Sequence, residues 1–545
     1  MVTKTVITGG WILLTFIISA ALSEVPKNSK LFVEIANGVL KGKDNNGRFI
    51  SWESVPYAEA PVGELRYELP QPYGQKWNVT FDASQKAPAC MQWDQFVEGK
   101  NKVHGSEDCL KLNIYKPLVK DEKKLPVMVF IHGGCFMFGG VNVNQPDVLM
   151  ASGKIMLVTI AYRVGALGFL SMQDEGLPGN LGLKDQRLAL QWIKENIVHF
   201  GGDPKKILLT GFSAGGASTH FHILQRPEEN VAKAAVSFSG VALNPWVIIR
   251  NPRGRALKLA QHLNCPQRNN GGEIKNCLKQ RRAEDIVGGT KLFQNFAYNP
   301  FTVFGPVIEP QHIPGAFLTH HPIDIVKSGN FTHIPWLASY VSEDGGYNAA
   351  ELMLINPQTG RELMYELNEN WAELLATNLF LDNISEHPVE YARQLKEKYL
   401  GHLPFYPENY ARVSELYTAV LFSDGILDSL KLHRQYSHAP VYGYVYNNPA
   451  DFNVGQGLSK RTDVNFGTVH MDDLSLILPT SSRSPPRSDE KRVSQNFIEM
   501  LVNFVESGNL CYDHCDFADN SIQNSPYLFL TSITGDNCES VALKV

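Results

Sequence analysis

The sequence predicts an α/β fold built on a large, mostly parallel central sheet, and three observations carry that prediction. LPVMVFIHGG (125–134) and IMLVTIAYRVG (155–165) are almost continuous apolar runs, as strands covered on both faces require. LGLKDQRLALQWIKENIVHF (181–200) sets Leu183, Leu188, Leu190, Trp192, Ile193 and Ile197 mainly on one helical face. KILLTGFSAGGASTHFHI (206–223) reads as a buried strand that turns sharply into a helix. Strands and helices in this order imply right-handed crossovers, hence parallel pairing with helices on both faces.

The third stretch also carries chemistry. Gly211-Phe212-Ser213-Ala214-Gly215 has the G-x-S-x-G form of the nucleophile elbow of an α/β-hydrolase fold. Gly211 and Gly215 lack side chains that would block a tight turn, so the Ser213 hydroxyl can stand clear of the sheet edge. The pattern alone is weak, since a glycine-rich turn before a helix looks the same; the strand on one side and the helix on the other give it weight.

Taken in order, the chain starts with Lys4, an apolar run from Trp11 to Ile18, and the small residues Ser19, Ala20, Ala21 and Ser23. A cleaved secretory signal over 1–23 is expected, with a signal anchor as the alternative, and one domain over 24–545. Residues 31–42 alternate like a hairpin around Asn37-Gly38. From about 250 the pattern loosens, and 350–435 reads as amphipathic helices inserted over the sheet's C-terminal edge. VYGYVYN (441–447) returns to strand, and VSQNFIEMLVNFVESGN (493–509) to a helix with Val493, Phe497, Leu501 and Phe504 inward. Asp185 begins no metal motif and is expected at the surface or as a helix-end partner.

Eight cysteines fit an oxidising compartment. Cys90 with Cys109, and Cys265 with Cys277, are near enough in sequence to close small loops, and Cys511, Cys515 and Cys538 can supply a third bridge. Cys511, His514 and Cys515 also sketch a zinc site, which one short cluster in a secreted chain rarely is. Cys135 reads as a free thiol. Asn78, Asn330 and Asn383 head glycosylation sequons, used only if exposed. A formal charge of −5 gives no reason to invoke nucleic acid or an anionic membrane, the C-terminus has no hydrophobic tail, and neither a cofactor nor a metal is expected.

Ester hydrolysis by a serine needs a base, an acid that orients the base, and donors for the oxyanion. His132-Gly133-Gly134-Cys135 follows a predicted strand and can turn backbone N–H groups toward a ligand together with that of Ala214. In this fold the base follows the acid in the chain. Among sixteen histidines that rule leaves His470, with His433 and His438 as rivals. For the acid, Glu343 and Asp344 compete.

Here the chain resembles the type-B carboxylesterase and cholinesterase family, and within it the secreted insect beta-esterases. SEDCLKLNIY (106–115), the HGG loop, AYRVGALGFLS, PGNLGLKDQRLALQWI, FGGDP, GFSAGGAS, FGPVIEP and GTVHMDDL carry the resemblance, from about Asn37 to Asn509. It implies Ser213 as nucleophile, His470 as base, Gly133, Gly134 and Ala214 as oxyanion donors, and the bridges Cys90–Cys109 and Cys265–Cys277. For the acid it favours Asp344, before Gly345, although the family usually has Glu there; Glu343 would then be a solvated surface charge. Two departures point away from cationic substrates: Phe212 stands where many members have Glu, and the Cys90–Cys109 loop lacks a tryptophan near its C-terminal end, Trp93 lying at the other. The expectation is a secreted serine carboxylesterase acting on small neutral esters. A slow sequestering esterase or a catalytically idle binding relative is the alternative.

Overall fold

The computed structural model describes residues 30–544 except 98, 100, 121–122, 357–358, 451–452, 481–489, 513–514, 521–526 and 536. The signal expected over 1–23 and His514 lie outside the described residues.

An eleven-stranded sheet runs through the molecule. Pairing is parallel from Tyr527–Thr534 through Val441–Tyr446, Trp336–Val341, Ala234–Phe238, Gly202–Phe212 and Leu125–Ile131 to Met156–Ile160. Antiparallel strands close both ends: Asn537–Lys544 at one, and Lys111–Pro117, Phe49–Pro56 and Lys43–Asp44 at the other. The hairpin Phe32–Ile35 with Gly38–Lys41 forms a small separate sheet with Phe81–Asp82.

Alternate residues of one strand enter different cores, which explains the continuous apolar runs. Val127, Val129 and Ile131 join one cluster with Leu183 and Ile193 of helix Leu181–Asn196 and Phe221 of helix Ala214–Ile223. Met128 and Phe130 join the other, beneath Val493, Phe497, Leu501 and Phe504 of helix Glu490–Ser507. Helices between Gly346 and Tyr436 build the insertion that follows strand Trp336–Val341, and its Thr418 Oγ1 accepts the N–H of Gly345 just past that strand's C-terminal end. Among the described residues no helix is long and apolar enough to cross a membrane.

Disulfides join Cys90 to Cys109, Cys265 to Cys277 and Cys515 to Cys538. Cys135 is a free thiol, buried, and burial pushes it up to about 12, which makes it a poor nucleophile. Asn78, Asn330 and Asn383 are exposed, and the Asn383 amide donates to Pro245 O and Ile248 O at 2.6 and 2.9 Å. Asp185 departs from expectation. It is fully buried, and its two oxygens take Nε and Nη2 of Arg163 at 2.8 and 2.7 Å, plus the Arg163 N–H. A charge this deep is tolerated because the fork satisfies it.

Candidate active site

The strand Gly202–Phe212 ends at Ser213, which takes φ 58° and ψ −120° before helix Ala214–Ile223 begins. Such a conformation costs a non-glycine residue about 1–3 kcal/mol. Close packing imposes it: a Cβ on Gly211 would sit 2.0 Å from Gly215 O, and one on Gly215 would sit 2.0 Å from Ile131 O. The Ser213 N–H donates to Phe238 O at 2.8 Å, fixing the turn to the neighbouring strand.

Two loops at the same sheet edge supply Asp344 and His470. Asp344 is fully buried and accepts three hydrogen bonds: from Ser239 Oγ at 2.7 Å, from Val341 N–H at 3.1 Å, and from His470 Nδ1. That contact assigns the imidazole proton to Nδ1 and leaves Nε2 as the acceptor. Glu343 is not a free surface charge. It is half-buried, its Oε2 accepts the Thr468 N–H at 2.8 Å, and its own N–H donates to Thr468 O at 3.0 Å. The backbone thus stitches the acid loop to the loop that carries His470. Beside them Asp473 accepts from Tyr444 Oη at 2.7 Å; burial, with the nearby Asp344 charge adding, pushes its carboxyl up to about 6. His433 and His438, the rival bases, lie elsewhere: His433 Nε2 faces His220 Nε2 at 2.8 Å, and His438 packs on His333.

The glycine loop is held as firmly. A Cβ on Gly133 would lie 3.0 Å from Ser213 Cβ, so loop and elbow touch, and Gly134 has φ +104°. His132 Nδ1 donates to Gly133 O at 2.8 Å, its ring stacks on Tyr162 at 4.4 Å, and burial pushes it down to about 4, so it is neutral. Among the described residues the N–H groups of Gly133, Gly134 and Ala214 meet no protein acceptor. Such donors, pre-placed beside a buried hydroxyl, suit a developing oxyanion.

Aromatic rings crowd the imidazole: Phe212 at 4.4 Å, Phe422 at 4.8 Å and Tyr347 at 5.7 Å between centroids. Trp93 is buried against Tyr298 at 5.8 Å. No role for Ser239, Tyr347 or Phe422 follows from the sequence alone. A short polar residue directly after a buried strand, as in SFSG (237–240), is the one signal that points to Ser239. For Phe422 no local signal exists.

The sequence matches the model of the carboxylesterase family over residues 29–531. It is 49% identical to Esterase-5B of Drosophila miranda over 520 residues, covering 94% of this chain and 95% of that one. To Esterase-5C of the same species it is 47% identical over 539 residues, 98% of each chain. The fold is shared with the crystal structure of juvenile hormone esterase from Manduca sexta with OTFP covalently attached, at a TM-score of 0.78, 24% identity, and 94% and 96% coverage.

Proposed function

This chain belongs to the carboxylesterase family and is a carboxylic ester hydrolase, and we propose that it cleaves small neutral esters through an acyl-enzyme on Ser213. His470 Nε2 takes the hydroxyl proton as Ser213 Oγ attacks the ester carbonyl carbon. The carbonyl oxygen becomes an oxyanion facing the N–H groups of Gly133, Gly134 and Ala214, each worth about 3–4 kcal/mol of barrier. Collapse breaks the bond to the alkoxy oxygen, which leaves as the alcohol with the proton from His470. Water then repeats the sequence, giving its proton to His470 and its oxygen to the acyl carbon, and the carboxylic acid departs as Ser213 regains its hydrogen. Asp344 stabilises the imidazolium in both halves.

The pairing of His470 Nδ1 with a buried Asp344, at the same sheet edge as the Ser213 turn, carries this reading. An organophosphate is expected to label Ser213 alone, and Ser213→Ala to abolish both labelling and turnover of an aryl ester; label elsewhere or undiminished turnover would refute it. A burst followed by slow turnover in that assay would mark a sequestering esterase instead. The reading includes secretion after removal of residues 1–23 and glycosylation at the exposed Asn78, Asn330 and Asn383.

A further inference from the structure

Helix Tyr410–Thr418 does not run directly into helix Asp424–Tyr436: Ala419–Ser423 between them is a π-helix. Such turns are rare and occur frequently at functional sites. This one is pinned on two sides. Trp246 Nε1 donates to Leu421 O and Asn244 Nδ2 to Phe422 O, both at 2.8 Å, and Asn244 Oδ1 is itself fixed by the Val241 N–H at 2.7 Å. Just upstream, Thr418 Oγ1 accepts the N–H of Gly345, the residue after Asp344, at 2.9 Å.

An α-helix turns about 100° per residue, so the extra residue of a π turn resets the register of everything after it. That reset lets Thr418 stay bonded to the acid loop while Phe422, 3% exposed, brings its ring to the imidazole of His470. The Asp344 contact holds only Nδ1 and leaves the ring free to pivot about that bond. Phe212 and Phe422 pack on the ring and oppose the pivot. Their π systems also attract a cation within about 6 Å, more strongly where water is excluded.

We propose that Phe422, delivered by the π turn, is a positioning residue for ester hydrolysis: with Phe212 it keeps the His470 ring aimed at Ser213 and stabilises the imidazolium formed when Ser213 gives up its proton. The role rests on His470 being the general base.

The test compares Phe422→Leu, which keeps apolar bulk without a π face, with Phe422→Tyr, which keeps the face. Steady-state kinetics on a neutral aryl ester are normalised to active sites titrated with an organophosphate. Phe422→Leu is expected to lower kcat by about 3- to 30-fold, the span of one cation–π contact, with KM changed far less. The acid limb of its kcat/KM profile should move to lower pH, because the neutral imidazole is then favoured. Phe422→Tyr should stay near wild type. Wild-type kcat with an unmoved acid limb in the Leu variant, or a Tyr variant as impaired as Leu, would overturn the role. If Phe422→Leu does not fold, Phe212→Leu probes the second ring, and an unmoved acid limb there is equally fatal. His470→Gln separates the two claims: substantial turnover would remove the base itself, whereas a dead His470→Gln beside a wild-type Phe422→Leu removes only the ring's role.

Discussion

Lowering the pH from about 7 to about 5 is expected to destabilise the protein through histidines buried in neutral form. Burial pushes His132 down to about 4, and His222 and His433 to about 3. His220 moves the same way, and its Nδ1 accepts the Ala242 N–H at 3.1 Å, so its proton sits on Nε2 and points at His433. The folded state therefore binds fewer protons than the unfolded chain, where histidine titrates near 6.5. Stability is full above that value and falls as pH drops below it. At pH 5 each such histidine costs about 2 kcal/mol, so the three with assigned values remove about 6 kcal/mol. Carboxyls pushed up by burial, Asp424 among them, act in the opposite sense. Burial pushes Glu351 up to about 7 and Asp473 to about 6, so the folded state holds protons the unfolded chain has lost. Together they return about 3–4 kcal/mol over the same interval. A net loss of roughly 2–3 kcal/mol remains, a large share of the 5–15 kcal/mol typical of a folded protein. Urea midpoints across this range measure it. His222→Gln, whose amide can still meet Gln186 where Nε2 now lies 3.1 Å from Oε1, should shrink the difference by about 2 kcal/mol. Equal or greater stability at pH 5 would refute the reasoning.

Two further outcomes concern the site. Asp344→Asn is expected to lower kcat by about 10⁴-fold, as when the acid of such a triad is lost. Glu343→Gln keeps an acceptor for the Thr468 N–H and should stay within about threefold of wild type, and the reverse pattern would transfer the acid's role to Glu343. Choline esters should be poor substrates, because the residue before Ser213 is a phenylalanine packed on His470 and not a carboxylate; kcat/KM for an acylcholine and its uncharged isostere decides this, and a preference for the cation above about tenfold, 1.4 kcal/mol, would contradict it.

Parts of the molecule whose steric demand is local were legible in the sequence. The turn at Ser213 excludes a Cβ at Gly211 and Gly215, so the constraint is written into five consecutive residues. The two central strands likewise advertise themselves, because a strand covered on both faces has no polar side to show. Contacts that close across the chain were not legible. Glu343 and Asp344 are neighbours in sequence and both meet the loop that carries His470, one at the Thr468 backbone and the other at the imidazole, so the residues alone left the choice open. Asp185 reads as a surface residue or a helix-end partner until Arg163 is placed beside it, since an acidic residue in an amphipathic helix ordinarily lies on the wet face or at a terminus. Ser239 acts on a carboxylate 105 residues away. Phe422 lies in an unbroken helical pattern, and a π turn changes register without demanding any residue type. No strand is legible in the residues after the one that starts at Val441, whereas the sheet gains two more, and the Ser and Thr residues of Tyr527–Thr534 soften the apolar signal a parallel strand usually gives.

Those two late strands set a condition on synthesis. By the time a ribosome has passed His470, every group assigned to the chemistry has been made, yet the Val441–Tyr446 strand still lacks the neighbour that Tyr527–Thr534 provides. A message cut short near codon 510 would encode all of the catalytic parts and an open, tyrosine-rich β-edge, the kind of surface that recruits other chains. Such a product would be lost to aggregation before its activity could be measured. Nonsense changes anywhere before the final strands should therefore behave as null alleles, however far downstream of His470 they fall.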